Sequence, residues 1–188
     1  MTKTALFLAA LLAAASASAQ TVKLQTTEGD IRIELDAAKA PKSVANFLQY
    51  VKAGHYNGVL FHRVIGNFMI QTGGYDAKLN QRPTKPPIPL ESDNGLSNLR
   101  GTVAMARTND PNSATSQFFI NVVDNAFSLD ASVGRIGTGY AVFGKVIEGM
   151  DVVDKIRAVD TAPKNVYFQN LPIKPIFITK ALVEPAQK

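Results

Sequence analysis

Between Leu60 and Gly74 the chain reads LFHRVIGNFMIQTGG, and nine positions of this stretch bring together Arg63, Phe68, Met69 and Gln71. Arginine is a permanent cation with a rigid fan of donors, so Arg63 can stabilise a partner atom without any proton transfer. Phe68 and Met69 can hold an apolar group and exclude water, which strengthens an electrostatic contact made beside them. A side-chain amide such as that of Gln71 can accept from the guanidinium and fix its direction. Taken singly, each residue has a plainer role. Phe and Met are core residues by default, Arg on a strand is usually a surface residue, and Gln an incidental polar one. An arginine in mid-strand does, however, require that its face open to solvent or to a site.

These side chains must be positioned by short strands. Read in twos, the stretch forms two strands broken at Gly66-Asn67, a pair that tolerates positive φ. Leu60, His62 and Val64 are then expected on one face, and Phe61, Arg63 and Ile65 on the other. Val22–Thr26 and Ile31–Leu35 alternate around Thr27-Glu28-Gly29-Asp30 and predict an opening hairpin. Pro41 suits a first helical position, and Val44, Phe47, Leu48 and Val51 follow at i, i+3, i+4 and i+7, with Gly54 as the stop. Gly73–Arg100, with Pro83, Pro86, Pro87 and Pro89, predicts an ordered loop wrapped over the surface. Thr102–Ala106, Gln117–Val123, Tyr140–Val146 and Ile173–Val183 read as strands, and Asp151–Arg157 as a second helix. Asp124–Gly139 reads as irregular. Its Gly134-Arg-Ile-Gly137-Thr-Gly139 lacks the Gly-Lys-Ser/Thr of a phosphate loop and does not lead from strand to helix. The pattern of about eight short strands and two helices points to a mainly β antiparallel barrel closed by helices.

Composition narrows the function. Lys3, the apolar run Ala5–Ala15 and Ser16-Ala17-Ser18-Ala19 are expected to form a secretory signal peptide cut after Ala19. The run is too short for a membrane span, which needs about 20 residues. Removing residues 1–19 from the 188 leaves one domain over residues 20–188; loss of Lys3 turns the net charge of +5 into +4. The basic residues are scattered, which argues against nucleic-acid binding, and no further membrane segment is expected. There is no cysteine, and the two histidines, His55 and His62, lack a zinc-ligand spacing. No metal or cofactor is therefore expected.

Four motifs in order resemble the cyclophilins, the cyclophilin-type peptidyl-prolyl cis-trans isomerases. They are FHRVI…FMIQTGG at Phe61–Gly74, GTVAMA at Gly101–Ala106, SQFFIN at Ser116–Asn121 and YAVFGKVIEGMDVVDKI at Tyr140–Ile156. With the leader, the chain looks most like periplasmic cyclophilins of Gram-negative bacteria. The resemblance implies a closed eight-stranded antiparallel barrel capped by two helices, a periplasmic location and a monomer. It implies Arg63 as the catalytic arginine, and Phe68, Met69, Phe119 and Leu129 in a proline pocket. Gln71 and Gln117 would orient the arginine and the peptide, and Ala106 and Arg107 would pair with it through their backbone. The chain departs from the best-known eukaryotic pattern at Arg107-Thr108, at Phe127, at the extra Ser128 and at Tyr140. Phe127 stands where a tryptophan binds cyclosporin, so at most weak binding of that drug is implied.

The chemistry suits these residue types. Rotation about an X–Pro bond is slow, because its partial double bond gives a barrier near roughly 18–20 kcal/mol. In the twisted transition state resonance is lost and the proline nitrogen regains a lone pair. A donor aimed at that nitrogen and a grip on the ring therefore lower the barrier. No general base is needed, so His62 reads as structural. The expected partners are proline-containing segments of unfolded or flexible secreted proteins. The competing reading is a module that binds or chaperones proline segments without useful catalysis. A small-ligand barrel is disfavoured, because the interior positions are bulky enough to fill the lumen.

Overall fold

The computed structural model describes residues 20–131 and 138–185. The expected leader, and Gly134–Gly137 of the glycine-rich run, lie outside the described residues. Strands β1 (Thr21–Thr26), β2 (Gly29–Leu35), β3 (Val59–Leu60), β4 (Arg63–Ile65), β5 (Met69–Thr72), β6 (Thr102–Met105), β7 (Phe118–Asn121), β8 (Val142–Glu148), β9 (Thr161–Ala162), β10 (Leu171–Pro172) and β11 (Phe177–Glu184) alternate with α1 (Pro41–Lys52), α2 (Ala126–Leu129) and α3 (Met150–Arg157). Nine of these strands form one antiparallel sheet in the order β3-β11-β1-β2-β8-β6-β7-β5-β4, and β9 and β10 form a small pair of their own.

The sheet is curled but open, which corrects the expected closed eight-stranded barrel. Its two edges, β3 and β4, follow one another in the chain with only Phe61-His62 between them. The seam carries isolated bonds in place of a ladder. Leu60 N donates to Tyr75 O at 2.9 Å, and Thr72 Oγ1 to Leu60 O at 2.9 Å. Register shifts at Gln25/Thr26, Arg32/Ile33 and Val103/Ala104 interrupt the ladders, and such bulges bend a strand and raise its twist. The two-residue link also breaks the expected alternation. Phe61 is fully buried in the main core, whereas Arg63, expected on the same face, is half-buried at the edge.

The main core fills the inside of the curl. Phe47 of α1 meets Phe118, Phe143 and Tyr56 with ring centroids 5.2, 5.1 and 5.3 Å apart, and Val153 and Ile156 bring α3 onto the same cluster. The apolar stripe of α1 is buried as its spacing predicts. Its N-terminus has no side-chain cap of its own. Glu91, from the long Gly73–Arg100 loop, supplies one: Oε1 accepts from Lys42 N at 3.0 Å, and Oε2 from Ser43 N and Ser43 Oγ at 2.8 Å. Lys85 N donates to the Tyr50 hydroxyl at 2.7 Å, and Ile88 bridges to Ala114, so this loop is ordered by what it covers.

Candidate active site

The ladder register lines up the candidate residues across five strands. Arg63 on β4 lies opposite Gln71 on β5, Gln71 opposite Phe119 on β7, Phe119 opposite Ala104 on β6, and Ala104 opposite Val142 on β8. The adjacent row, Val64–Ile70–Ile120–Val103, points to the main core instead. Successive side chains of a strand face opposite sides, so each two-residue step along these strands stays on the outer face. It adds Met69 beside Gln71, Gln117 beside Phe119, Ala106 beside Ala104 and Tyr140 beside Val142.

The outcome is a second, smaller apolar cluster. Met69, Ala104, Phe119, Leu129 and Val142 are buried in it, and Ile65, Phe68, Leu96, Ala106 and Tyr140 pack around them. Six of the sequence-predicted residues, Phe68, Met69, Ala106, Phe119, Leu129 and Tyr140, thus meet in one place. At its edge, Arg63 Nη1 lies 3.4 Å from Gln71 Oε1 and 4.0 Å from Met69 Sδ. Gln71 Nε2 donates to Gln117 Oε1 at 2.9 Å, completing a relay that holds the guanidinium over the cluster. Gly73 and Gly74 let β5 approach Gln117. A Cβ on Gly73, whose φ is +98°, would lie 2.5 Å from Ser116 O, and one on Gly74 2.7 Å from the Gln117 amide.

Arg63 makes no ion pair among the described residues, and burial lowers its pKa, so the charge is partly desolvated and uncompensated. Arg107 lies with its guanidinium carbon 4.5 Å from the centre of the Tyr140 ring, which meets Phe119 edge-on at 5.6 Å. The Ala106 N–H is taken by Gln117 O at 3.0 Å. Phe127 is not drawn in. It stands 66% exposed on α2, while Leu129, two residues on, is buried in the cluster.

His62, beside Arg63, is buried against Tyr75 at 4.7 Å and Phe168 at 6.3 Å, in keeping with a structural role. Its Nδ1 has no hydrogen-bond partner among the described residues, and burial drives its pKa down to about 4.

One part of the site escapes sequence reasoning: a buried chain of asparagines beneath the cluster. Asn125 Nδ2 donates to Phe68 O at 2.7 Å and to Asn121 Oδ1 at 2.8 Å, and Asn121 Nδ2 to Asn98 Oδ1 at 3.1 Å. Asn98 Nδ2 in turn faces Asp130 Oδ1 at 2.8 Å, Tyr140 O at 3.3 Å and Leu129 O at 3.4 Å. Asparagine in a loop ordinarily signals a turn. These side chains instead tie together the backbones of Phe68, Leu129 and Tyr140. The only hint in the sequence is Asn121 inside an otherwise apolar strand.

The chain is similar to known proteins. The family model described as "Cyclophilin type peptidyl-prolyl cis-trans isomerase/CLD" matches residues 21–182. The chain is 54% identical over 181 residues to peptidyl-prolyl cis-trans isomerase A of Dickeya dadantii, covering 96% of this chain and 93% of that protein. It is 49% identical over 162 residues to peptidyl-prolyl cis-trans isomerase B of Escherichia coli, covering 86% and 98%. The crystal structure of a Cryptosporidium parvum cyclophilin type isomerase in the presence of the dipeptide Ala-Pro superposes with a TM-score of 0.72 at 26% identity, covering 88% of this chain and 99% of that one. The chain belongs to the cyclophilin-type peptidyl-prolyl cis-trans isomerase family. It is accordingly an enzyme that accelerates rotation about X–Pro bonds.

Proposed function

We propose that the enzyme acts in the periplasm on exposed X–Pro bonds of unfolded or flexible secreted proteins, and that the outer-face cluster is its active site. The observation that supports the site best is the convergence of a desolvated, unpaired Arg63 with the apolar wall of Met69, Phe119 and Leu129. A proline ring seated against that wall is held while the preceding carbonyl turns. As the carbonyl leaves conjugation, the ring nitrogen becomes an acceptor, and the Arg63 Nη1 N–H donates to it. The contact exists only in the twisted state, so it lowers the barrier without tightening the ground state. Gln71 and Gln117 hold the donor in place before the reaction, which removes reorganisation from the barrier. The Ala106 carbonyl and Arg107 N–H, which have no backbone partner among the described residues, lie just past the end of β6, where a peptide can pair with them.

The location rests on the expected leader at residues 1–19, and scattered charge favours a monomer that takes unfolded chains in chaperone fashion. Exposed Phe127, with one ring where an indole would offer more area, favours weak cyclosporin binding. Isomerisation of a proline peptide by the wild type and by Arg63→Ala tests the site. A loss of about 100-fold or more in kcat/KM with peptide affinity retained is expected. Equal rates for the two proteins, with both binding the peptide, would put the catalytic group elsewhere. Processing after Ala19 and recovery in the periplasmic fraction test the location; an uncleaved, cytoplasmic chain would overturn it.

A further inference from the structure

The charge distribution around the pocket carries a consequence for substrate choice. Arg32, Arg100 and Arg157 pair with carboxylates, but Arg63 and Arg107 do not, among the described residues. Both border the same cluster: the Arg107 guanidinium stacks on the Tyr140 ring at 4.5 Å, and Arg63 Nη1 lies 4.0 Å from Met69 Sδ and 3.4 Å from Gln71 Oε1. Arg107 is held rigidly. Its Nε and Nη2 donate to Gly139 O at 3.1 and 2.8 Å, Nη2 also to Thr138 Oγ1 at 2.9 Å, and Nη1 to Thr108 O at 2.9 Å. Every one of these acceptors is neutral, so the bonds fix the guanidinium without cancelling its charge. Among the described residues, one of its five N–H groups has no acceptor. Asp130, the carboxylate at the end of α2, is turned to Ser97 and Asn98 instead.

We propose that Arg107 is a specificity-determining residue that selects X–Pro segments with an acidic side chain next to the proline and disfavours a basic one there. The pocket rim then presents two cations with no built-in counter-charge among the described residues. An Asp or Glu beside the bound proline supplies that counter-charge, and a Lys or Arg adds a third positive charge. Since Arg107 packs on Tyr140 without reaching the reacting nitrogen, it acts on which peptide binds and not on the rotation itself. The inference rests on the proline being seated against Met69, Phe119 and Leu129, as proposed above.

The test is catalysed cis–trans exchange measured by NMR, which needs no coupling protease with a charge preference of its own. Glu, Gln and Lys are placed immediately before the proline in one peptide series and immediately after it in another. For the wild type at low salt, kcat/KM for the Glu peptide is expected to exceed that for the Lys peptide by roughly tenfold in at least one series. The ratio should fall towards one near 1 M salt, where the screening length is about 3 Å. Arg107→Gln should collapse the low-salt ratio, and Arg107→Lys, which keeps the charge but not the stack, should retain most of it. If Arg107→Gln does not fold, Thr108→Glu, which puts a carboxylate beside the guanidinium, is expected to lower the ratio at least threefold. A wild-type ratio near one in both series, or a ratio unchanged in Arg107→Gln or Thr108→Glu, overturns the proposal. Failure of the wild type to accelerate even the Gln peptides would instead remove the site reading on which it rests.

Discussion

The two faces of β4, β5, β7 and β6 make the same ladder bonds and yet hold two different kinds of interior. On the inner face Val64, Ile70, Ile120 and Val103 join a large cluster built of aliphatic and aromatic packing. On the outer face Met69, Ala104 and Phe119 join a small cluster that rests on buried asparagines and is edged by two guanidinium groups with no ion pair among the described residues. Apolar packing is strong but non-directional. It stabilises the curl and tolerates volume-conserving exchange. Hydrogen bonds contribute less net stability but fix direction, and a donor that must point at one nitrogen needs direction. With the outer-face cluster as the proposed active site, stability and catalysis fall on opposite sides of one set of strands.

The largest expected effect breaks the inner face. Phe118→Ala removes a fully buried ring that meets Phe47 and Tyr56, and should cost about 3–5 kcal/mol in urea unfolding. Because the inner rows carry the outer ones, its activity should fall only as the folded fraction falls.

At the seam between the faces, His62 gives a pH signature. Its folded pKa, about 4, lies below the ordinary 6.5, so the unfolded chain binds the proton more readily. The stability this group contributes is full above pH 6.5 and is lost as the pH falls through 4, on the order of 3 kcal/mol in total. Burial shifts His55 in the same direction, so it adds to the same window. Urea midpoints against pH should therefore drop more steeply for the wild type than for His62→Gln between pH 6.5 and 4; parallel curves would show that His62 is not the group responsible.

Arg63→Ala sharpens the comparison from the other side. The half-buried side chain makes no ion pair among the described residues, and its Gln71 contact is long at 3.4 Å. Stability should change by less than about 1 kcal/mol while kcat/KM falls about 100-fold. A large drop in Tm would mean that the outer face also carries the fold.

Asn98→Ala should occupy the middle ground. It removes one hydrogen bond from Asp130, which keeps Ser97 Oγ and the Asn98 N–H, and one from Asn121, which keeps Thr102 Oγ1, and should cost about 1–3 kcal/mol. It should also lower kcat through Leu129 and Tyr140, whose carbonyls it holds. A stability loss with kcat unchanged would demote the asparagine chain to a purely structural element. The smallest effect belongs to Glu91→Ala, about 1 kcal/mol from the lost cap of α1, with kcat/KM unaltered. Denaturant titration and the peptide assay check both halves.

Much of this was legible in the chain. The period of two in Ile31–Leu35 and the 3.6 period of α1 predict their elements, because burial of one face imposes those spacings. Arg63, Phe68, Met69 and Gln71 could be picked out because an arginine in mid-strand beside water-excluding side chains is costly without a use; Gln117 and Phe119 joined them only through the resemblance to the cyclophilins. The helix α2 was not legible, since four residues are too few to show a period. Nor was the Glu91 cap, which joins residues 48 positions apart.

By itself, then, the sequence determined which residues alternate, where the chain turns and which side chains have chemistry to offer, since these depend on neighbours within a few positions. The tertiary structure alone decided that the sheet stays open at Phe61-His62, and that Arg63, Gln71, Phe119, Ala104 and Val142 form one row. It also decided that Arg107 keeps its charge while bonded only to neutral acceptors. Register and long-range pairing set those outcomes, and a slip of one residue would have turned the same side chains to the other face.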